Sequence, residues 1–208
     1  MPRPTRVESE IQLLVEGNDQ RNFFEAFIEH LSIPHVQIQN FGGIRELGSF
    51  LLALRNAPGF GGAVKSVGIV RDAELSASSA FDSVLSSLKG AGLDLPERPE
   101  IPSLGTPSIC VLLLPGANKP GMLETLLCET FRGTPEESCI DSFFQCIAAA
   151  KLPAIKRLDK AKAWAYLTTK PDPHHSVGVA TKKGYWGDLD QPLFSDICSF
   201  LKTLQRVD

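Results

Sequence analysis

No stretch of the 208 residues strings together the ~18 apolar residues that a membrane-spanning helix needs. The first ten, MPRPTRVESE, hold two glutamates and no apolar core, so a secretory signal is not expected there. The five cysteines (Cys110, Cys128, Cys139, Cys146 and Cys198) are odd in number and form no C-x-x-C pair. A disulfide framework or structural zinc site is therefore not expected, and buried free thiols in a reducing cytoplasm are. Internal repeats and low-complexity tracts are absent. An excess of one charge is missing too: 21 Lys and Arg against 24 Asp and Glu leave a net charge of -3. That excludes a wholly basic nucleic-acid coat but not a local basic patch. What is there is ordinary, with 43% hydrophobic and 22% charged residues, the make-up of a globular chain rather than a disordered one. One domain over residues 1–208 is expected, with a sheet core over 1–115 and a mainly helical extension over 116–208 packed on it.

Strand and helix signals alternate from the start. Residues 12–15 form an apolar run that breaks at Glu16-Gly17-Asn18-Asp19. A helix follows with Phe23, Phe24, Phe27, Ile28 and Leu31 on one face, and Asn18 or Asp19 as its cap. A second strand is expected over 36–41 and a second helix over 44–56. A third strand over 66–70 runs into Arg71-Asp72-Ala73-Glu74, and the helix after it has Gly90 where a C-cap belongs. Residues 109–114 are continuously apolar, as suits a strand covered on both faces. Helices dominate from Gly121 on: one opened by Thr134-Pro135-Glu136-Glu137, one over 158–167 and one after Asp190. The alternation predicts an α/β fold with a mostly parallel sheet of about four strands flanked by helices.

Such sheets place their sites beyond the carboxyl ends of the strands. The clusters Glu16-Gly17-x-Asp19 and Asp72-x-Glu74 both fall at strand ends, so they should share one rim. Asp72 and Glu74 point the same way if the chain stays extended. Two carboxylates held together repel unless a cation sits between them, and hard oxygen donors suit Mg²⁺ or Mn²⁺. Glu16, from a neighbouring strand, is placed to act as a further ligand or as a general acid/base.

LLVEGNDQRNFF (residues 13–24) and VGIVRDAE (67–74) resemble the conserved-type motifs of the TOPRIM family, found in topoisomerases, DnaG-type primases and the overcoming-lysogenization-defect nucleases. LPGANKPGMLETLL (114–127) and VATKKGYW (179–186) look like a subgroup of small stand-alone TOPRIM-related proteins with no assigned activity. The resemblance implies a Rossmann-like TOPRIM fold and Mg²⁺-dependent phosphoryl transfer on nucleic acid. It implies Glu16 as acid/base and Asp72 and Glu74 as metal ligands. Glu74 stands where the family carries Asp, which keeps the charge and lengthens the ligand. Glu124 is the candidate for a later metal-binding acid, and Lys182 or Lys183 for the catalytic lysine, on a loop that the small residues before them let approach the rim closely.

Other patterns weaken on inspection. Gly116-x-x-x-x-Gly121 lacks the Lys-Ser/Thr of a phosphate loop. A haloacid-dehalogenase-like reading of residues 67–76 lacks the second Asp, and a receiver-like one wants paired acids after strand one, where this chain has Glu16 and Asp19. His174-His175 reads as an exposed turn, not a metal pair. Trp164, Tyr166, Tyr185 and Trp186 suit packing better than base stacking. Between residues 151 and 183 lie eight basic residues and two acids. Lys156, Arg157, Lys160 and Lys162 are the candidates for holding a nucleic-acid backbone there. The sequence thus points to a cytoplasmic, metal-dependent nuclease acting on DNA or RNA, alone or with a separate partner protein and away from membranes. The alternative is a non-catalytic TOPRIM-like module that binds nucleic acid or a partner.

Overall fold

The computed structural model describes residues 4–174 and 176–206. Four strands, β1 (Ile11–Val15), β2 (Val36–Asn40), β3 (Ser66–Asp72) and β4 (Ser108–Leu114), form one parallel sheet in the order β2-β1-β3-β4. Every residue of β1 and β4 is buried, which is why both read as apolar runs broken only by Gln12 and Ser108. The crossovers carry α1 (Asn18–His30), α2 (Ile44–Arg55), the one-turn α3 (Phe60–Ala63) and α4 (Ala77–Ala91). Beyond β4 come α5 (Leu123–Cys128), α6 (Pro135–Ala149), α7 (Leu158–Thr168), α8 (Val177–Lys182) and α9 (Ser195–Leu204).

The sheet is covered on both faces. Leu14, Val67, Ile69, Val111 and Leu113 pack against Leu47, Phe50 and Leu51 of α2 and Phe81, Val84 and Leu88 of α4. Leu13, Val15, Val70, Leu112 and Leu114 face Phe23, Phe24 and Phe27 of α1 and Phe200, Leu201 and Leu204 of α9. Each fully buried Phe or Leu contributes roughly 1.5–3 kcal/mol relative to exposure. Gly68 lets α9 lie on β3: a Cβ there would sit 2.6 Å from Leu204 Cδ1 and 2.9 Å from Phe200 Cζ.

Local chemistry explains the helix ends and corrects some expectations. Thr134 caps α6 by accepting from the Glu137 N–H, as its sequence predicts. α1 starts after an extended Gly17, which has no side chain to cap it; Asn18 and Asp19 are the first two helical residues, and Asp19 accepts from Ser176 Oγ at 2.5 Å. α4 ends at Gly92, in the left-handed region, rather than at Gly90. The residues expected to form a loop around Lys182 are helical instead. Ser176 caps that helix, and Gly178 lets it press on α1, since a Cβ there would lie 2.1 Å from Asp19 O.

All five cysteines are free, but only Cys110 is buried, and Cys139 and Cys146 are exposed. Burial pushes the Cys110 and Cys128 thiols up to about 12, so both stay protonated. Tyr166 stacks between Phe131 and Trp186, with centroids at 4.2 Å and 5.4 Å, as packing residues do. Trp164 is 47% exposed, with the Lys160 ammonium over its ring. His174 Nδ1 accepts from the Ser176 N–H, and His175 lies outside the described residues. Among the described residues no helix is long and apolar enough to cross a membrane.

Candidate functional site

β1 and β3 are parallel neighbours with Leu14 opposite Ile69, so Glu16 and Asp72 leave the sheet on the same rim. Asp72 Oδ1 accepts from Gln20 Nε2 and from the Leu123 N–H, both at 3.1 Å. The Gln20 side-chain carbonyl in turn accepts from the Glu16 N–H at 2.9 Å. One amide in the first turn of α1 thus ties two strand ends together. Burial, and then the carboxylates of Glu16 and Glu124, push the Asp72 carboxyl up to about 7. The Leu123 N–H and the Arg71 guanidinium act in the opposite direction.

The neighbouring acids have basic partners. Arg71 Nη1 stands 2.5 Å from Glu16 Oε2, both side chains being largely buried. Arg71 Nε is buried without a hydrogen-bond partner among the described residues. Glu124 is 5% exposed and meets Lys160 Nζ at 3.1 Å. Glu74 does not continue the strand. Its φ is +53°, and its backbone exchanges two hydrogen bonds of 2.7 Å with Gly121, so Asp72 and Glu74 are not consecutive outward positions of one extended segment. Its side chain is 45% exposed, 4.0 Å from Arg157. Even so, Glu16, Asp72, Glu74, Glu124, Arg157 and Lys160 all line one cavity of about 280 Å³. A larger cavity of about 630 Å³ lies between α6 and residues 152–158; it is mainly apolar and holds none of these acids.

The donor set is made of hard oxygens around a carboxyl whose hold on a proton is raised by burial and by two acidic neighbours, the kind of set that suits a divalent cation. Among the described residues no three His, Cys, Asp or Glu side chains are grouped to hold one ion. A divalent ion here would be carried by one or two carboxylates and completed by water, not held in a cage of protein ligands.

Residues 10–206 match the family model described as "Protein of unknown function (DUF3226)". The chain belongs to this family. No curated protein matches it. Among solved structures, it is similar to the C-terminal region of the Xanthomonas campestris pv. campestris OLD protein. The identity is 15% over 95% of this chain and 96% of that one, with a TM-score of 0.45. The C-terminal region of the Burkholderia pseudomallei OLD protein is 14% identical over 94% of this chain and 88% of that one, with a TM-score of 0.40.

In this DUF3226 chain the basic residues divide. Arg157 and Lys160 line the acidic cavity. Lys162 is paired with Asp141 at 2.6 Å, and Lys156 is exposed on the segment before α7; neither lines the cavity. Lys182 and Lys183 do not line it either. Lys182 pairs with Glu25 at 2.6 Å and Lys183 pairs with Asp172. The physical reason is α8: pressed on α1, it sets its last residue, Lys182, and its C-cap, Lys183, at their own partners instead of offering a loop to the rim. Two residues at the site carry no motif and are not singled out by the sequence reading. Arg71 is the one charge in the apolar run of β3 before Asp72, and that isolation is its signal. Gln20 sits four residues after Glu16, on the first turn of α1 and facing the rim.

Proposed function

We propose that this protein is a Mg²⁺- or Mn²⁺-dependent phosphoryl-transfer enzyme of the TOPRIM type, cleaving nucleic-acid phosphodiesters alone or with a separate partner protein. The observation that carries this reading is Asp72. A carboxyl raised to about 7 by burial and by two other acids is a site that gains most from a cation. Asp72 and one of its neighbours, Glu16, Glu74 or Glu124, would hold the ion. A bound divalent ion supplies Lewis-acid stabilisation of the phosphoryl oxygens. The chain's own residues do the rest. Gln20 and the Leu123 N–H fix Asp72. Arg71 fixes the direction of Glu16, which takes or returns the proton of the reacting oxygen. Arg157, whose pair with Glu74 is long and exposed, is free to exchange that carboxylate for a substrate phosphate, and Lys160 stands beside it.

A second reading, a nucleic-acid or protein-binding module without catalysis, draws on the same geometry. Arg71 and Lys160 already neutralise Glu16 and Glu124 without any metal. Mn²⁺ calorimetry joined to a cleavage screen on plasmid, single-stranded DNA and structured RNA separates the two. The enzyme reading expects Mn²⁺ binding that Asp72→Ala removes. It also expects metal-dependent cleavage that Glu16→Gln slows by about 10²–10⁴-fold. Equal Mn²⁺ affinity in the wild type and Asp72→Ala would sink the metal assignment. Binding of nucleic acid without cleavage under any divalent ion would favour the module.

A further inference from the structure

Helix α6 is fifteen residues long, yet Ile140 is its one buried residue. Cys139, Phe143, Cys146 and Ala150, the residue just past its end, are all exposed; Phe143 is 55% exposed. Their spacing of four, three and four residues is the a/d repeat by which one helix seats on another. From Ser138 to Ala150 the sole charge is Asp141, which is paired with Lys162 of the neighbouring helix. Three turns of helix therefore meet solvent without a charge, whereas a helix that stays solvated carries charge on its outer face.

The charges sit at the two ends. Glu136 and Glu137 occupy the first turn, and Lys151 and Lys156 follow the last. Neither lysine has an ion-pair partner among the described residues. A helix that is acidic at its start, uncharged along its outer face and followed by basic residues is complementary to itself when reversed. Antiparallel pairing sets each acidic end beside the other copy's basic end, twice by symmetry, and opposes the two helix dipoles. We propose that α6 is the two-fold interface between two copies of this chain. The helices pack antiparallel, Phe143 lies against Cys146 of the second copy, and Cys139 lies against its Ala150. This assembly is independent of the metal reading.

Sedimentation equilibrium on the full chain over micromolar concentrations tests it. The wild type is expected to be a dimer. Phe143→Glu should weaken the dimer by about 100-fold or more, as loss of a central aromatic anchor does. Because Phe143 lies outside the core, circular dichroism should report an unchanged fold. Glu136→Lys and Lys151→Glu should each weaken association by about threefold to tenfold, and the two together should restore most of it. A wild type that stays monomeric overturns the proposal, as does a dimer indifferent to Phe143→Glu. A double charge exchange weaker than both single changes overturns the antiparallel arrangement.

Discussion

Metal-free protein should lose stability as pH rises through neutrality, and Asp72 should be the cause. Its carboxyl ionises at 3.8 in an unfolded chain and at about 7 in the fold. Between those values the native state binds a proton that the unfolded state does not, so ΔG of unfolding falls with rising pH. The stabilisation is complete below the unfolded value and gone once pH passes about 7. At ~1.4 kcal/mol per pH unit the whole span is worth about 4 kcal/mol at most. Asp72 keeps some surface on the cavity, and water there reduces the effect, to about 2 kcal/mol between pH 5 and pH 8. With a urea m-value near ~2 kcal/mol/M, the unfolding midpoint should fall by about 1 M. Asp72→Asn is the control. Its amide oxygen still accepts from Gln20 and Leu123, but it cannot ionise. Urea titrations in chelator should therefore show the wild type descending from pH 5 to pH 8 relative to a flatter Asp72→Asn. Added Mn²⁺ at pH 8 should restore the wild type alone. Parallel curves for the two proteins would refute the argument, because Asp72 would then titrate as an ordinary carboxylate with no demand for a cation.

Three further outcomes follow from the contacts. Arg71→Ala should cost about 3 kcal/mol in chemical denaturation, and removing Glu16 as well should cost less than the sum, because the first change strands a largely buried carboxylate. Arg157→Ala and Lys160→Ala should each lower the salt slope of nucleic-acid binding by about one, while Lys182→Ala and Lys183→Ala leave it unchanged. Gly178→Ala should destabilise by about 1–3 kcal/mol in thermal unfolding, since its Cβ would meet the Asp19 backbone carbonyl at 2.1 Å.

The sheet was legible because burial on both faces leaves a plain mark. β4 reads SICVLLL, and no other local structure of that length uses seven buried residues in a row so readily. The shared rim was legible for a topological reason: parallel neighbouring strands end on the same side. The expectation failed where a local rule met a distant contact. Asp72 and Glu74 point the same way only if the chain stays extended, and it does not: the Glu74 backbone pairs with Gly121, forty-seven residues on, and turns the chain. The small residues before Lys182 and Lys183 pointed to a loop able to approach closely, but residues 177–182 form α8. Its glycine serves close approach to α1, which only the packed structure reveals.

The electrostatics of the rim divide the same way. Strand topology indicated that Glu16, Asp72 and Glu74 would share a rim, the TOPRIM resemblance alone offered Glu124, and all four line one cavity. Which of them lacks compensation depends on partners that come from elsewhere in the chain. Arg71 reaches across from β3 to Glu16, and Lys160 comes from α7 to Glu124. Asp72 is left with an amide, one backbone N–H, the more distant help of an Arg71 paired to Glu16, and two acidic neighbours. A hydrogen bond from a neutral donor offsets part of the cost of a buried negative charge, and like charges nearby add to it. The unmet demand for positive charge is therefore concentrated on Asp72. It is set by the spacing of Arg71 and Lys160 from the other acids, not by the acids alone.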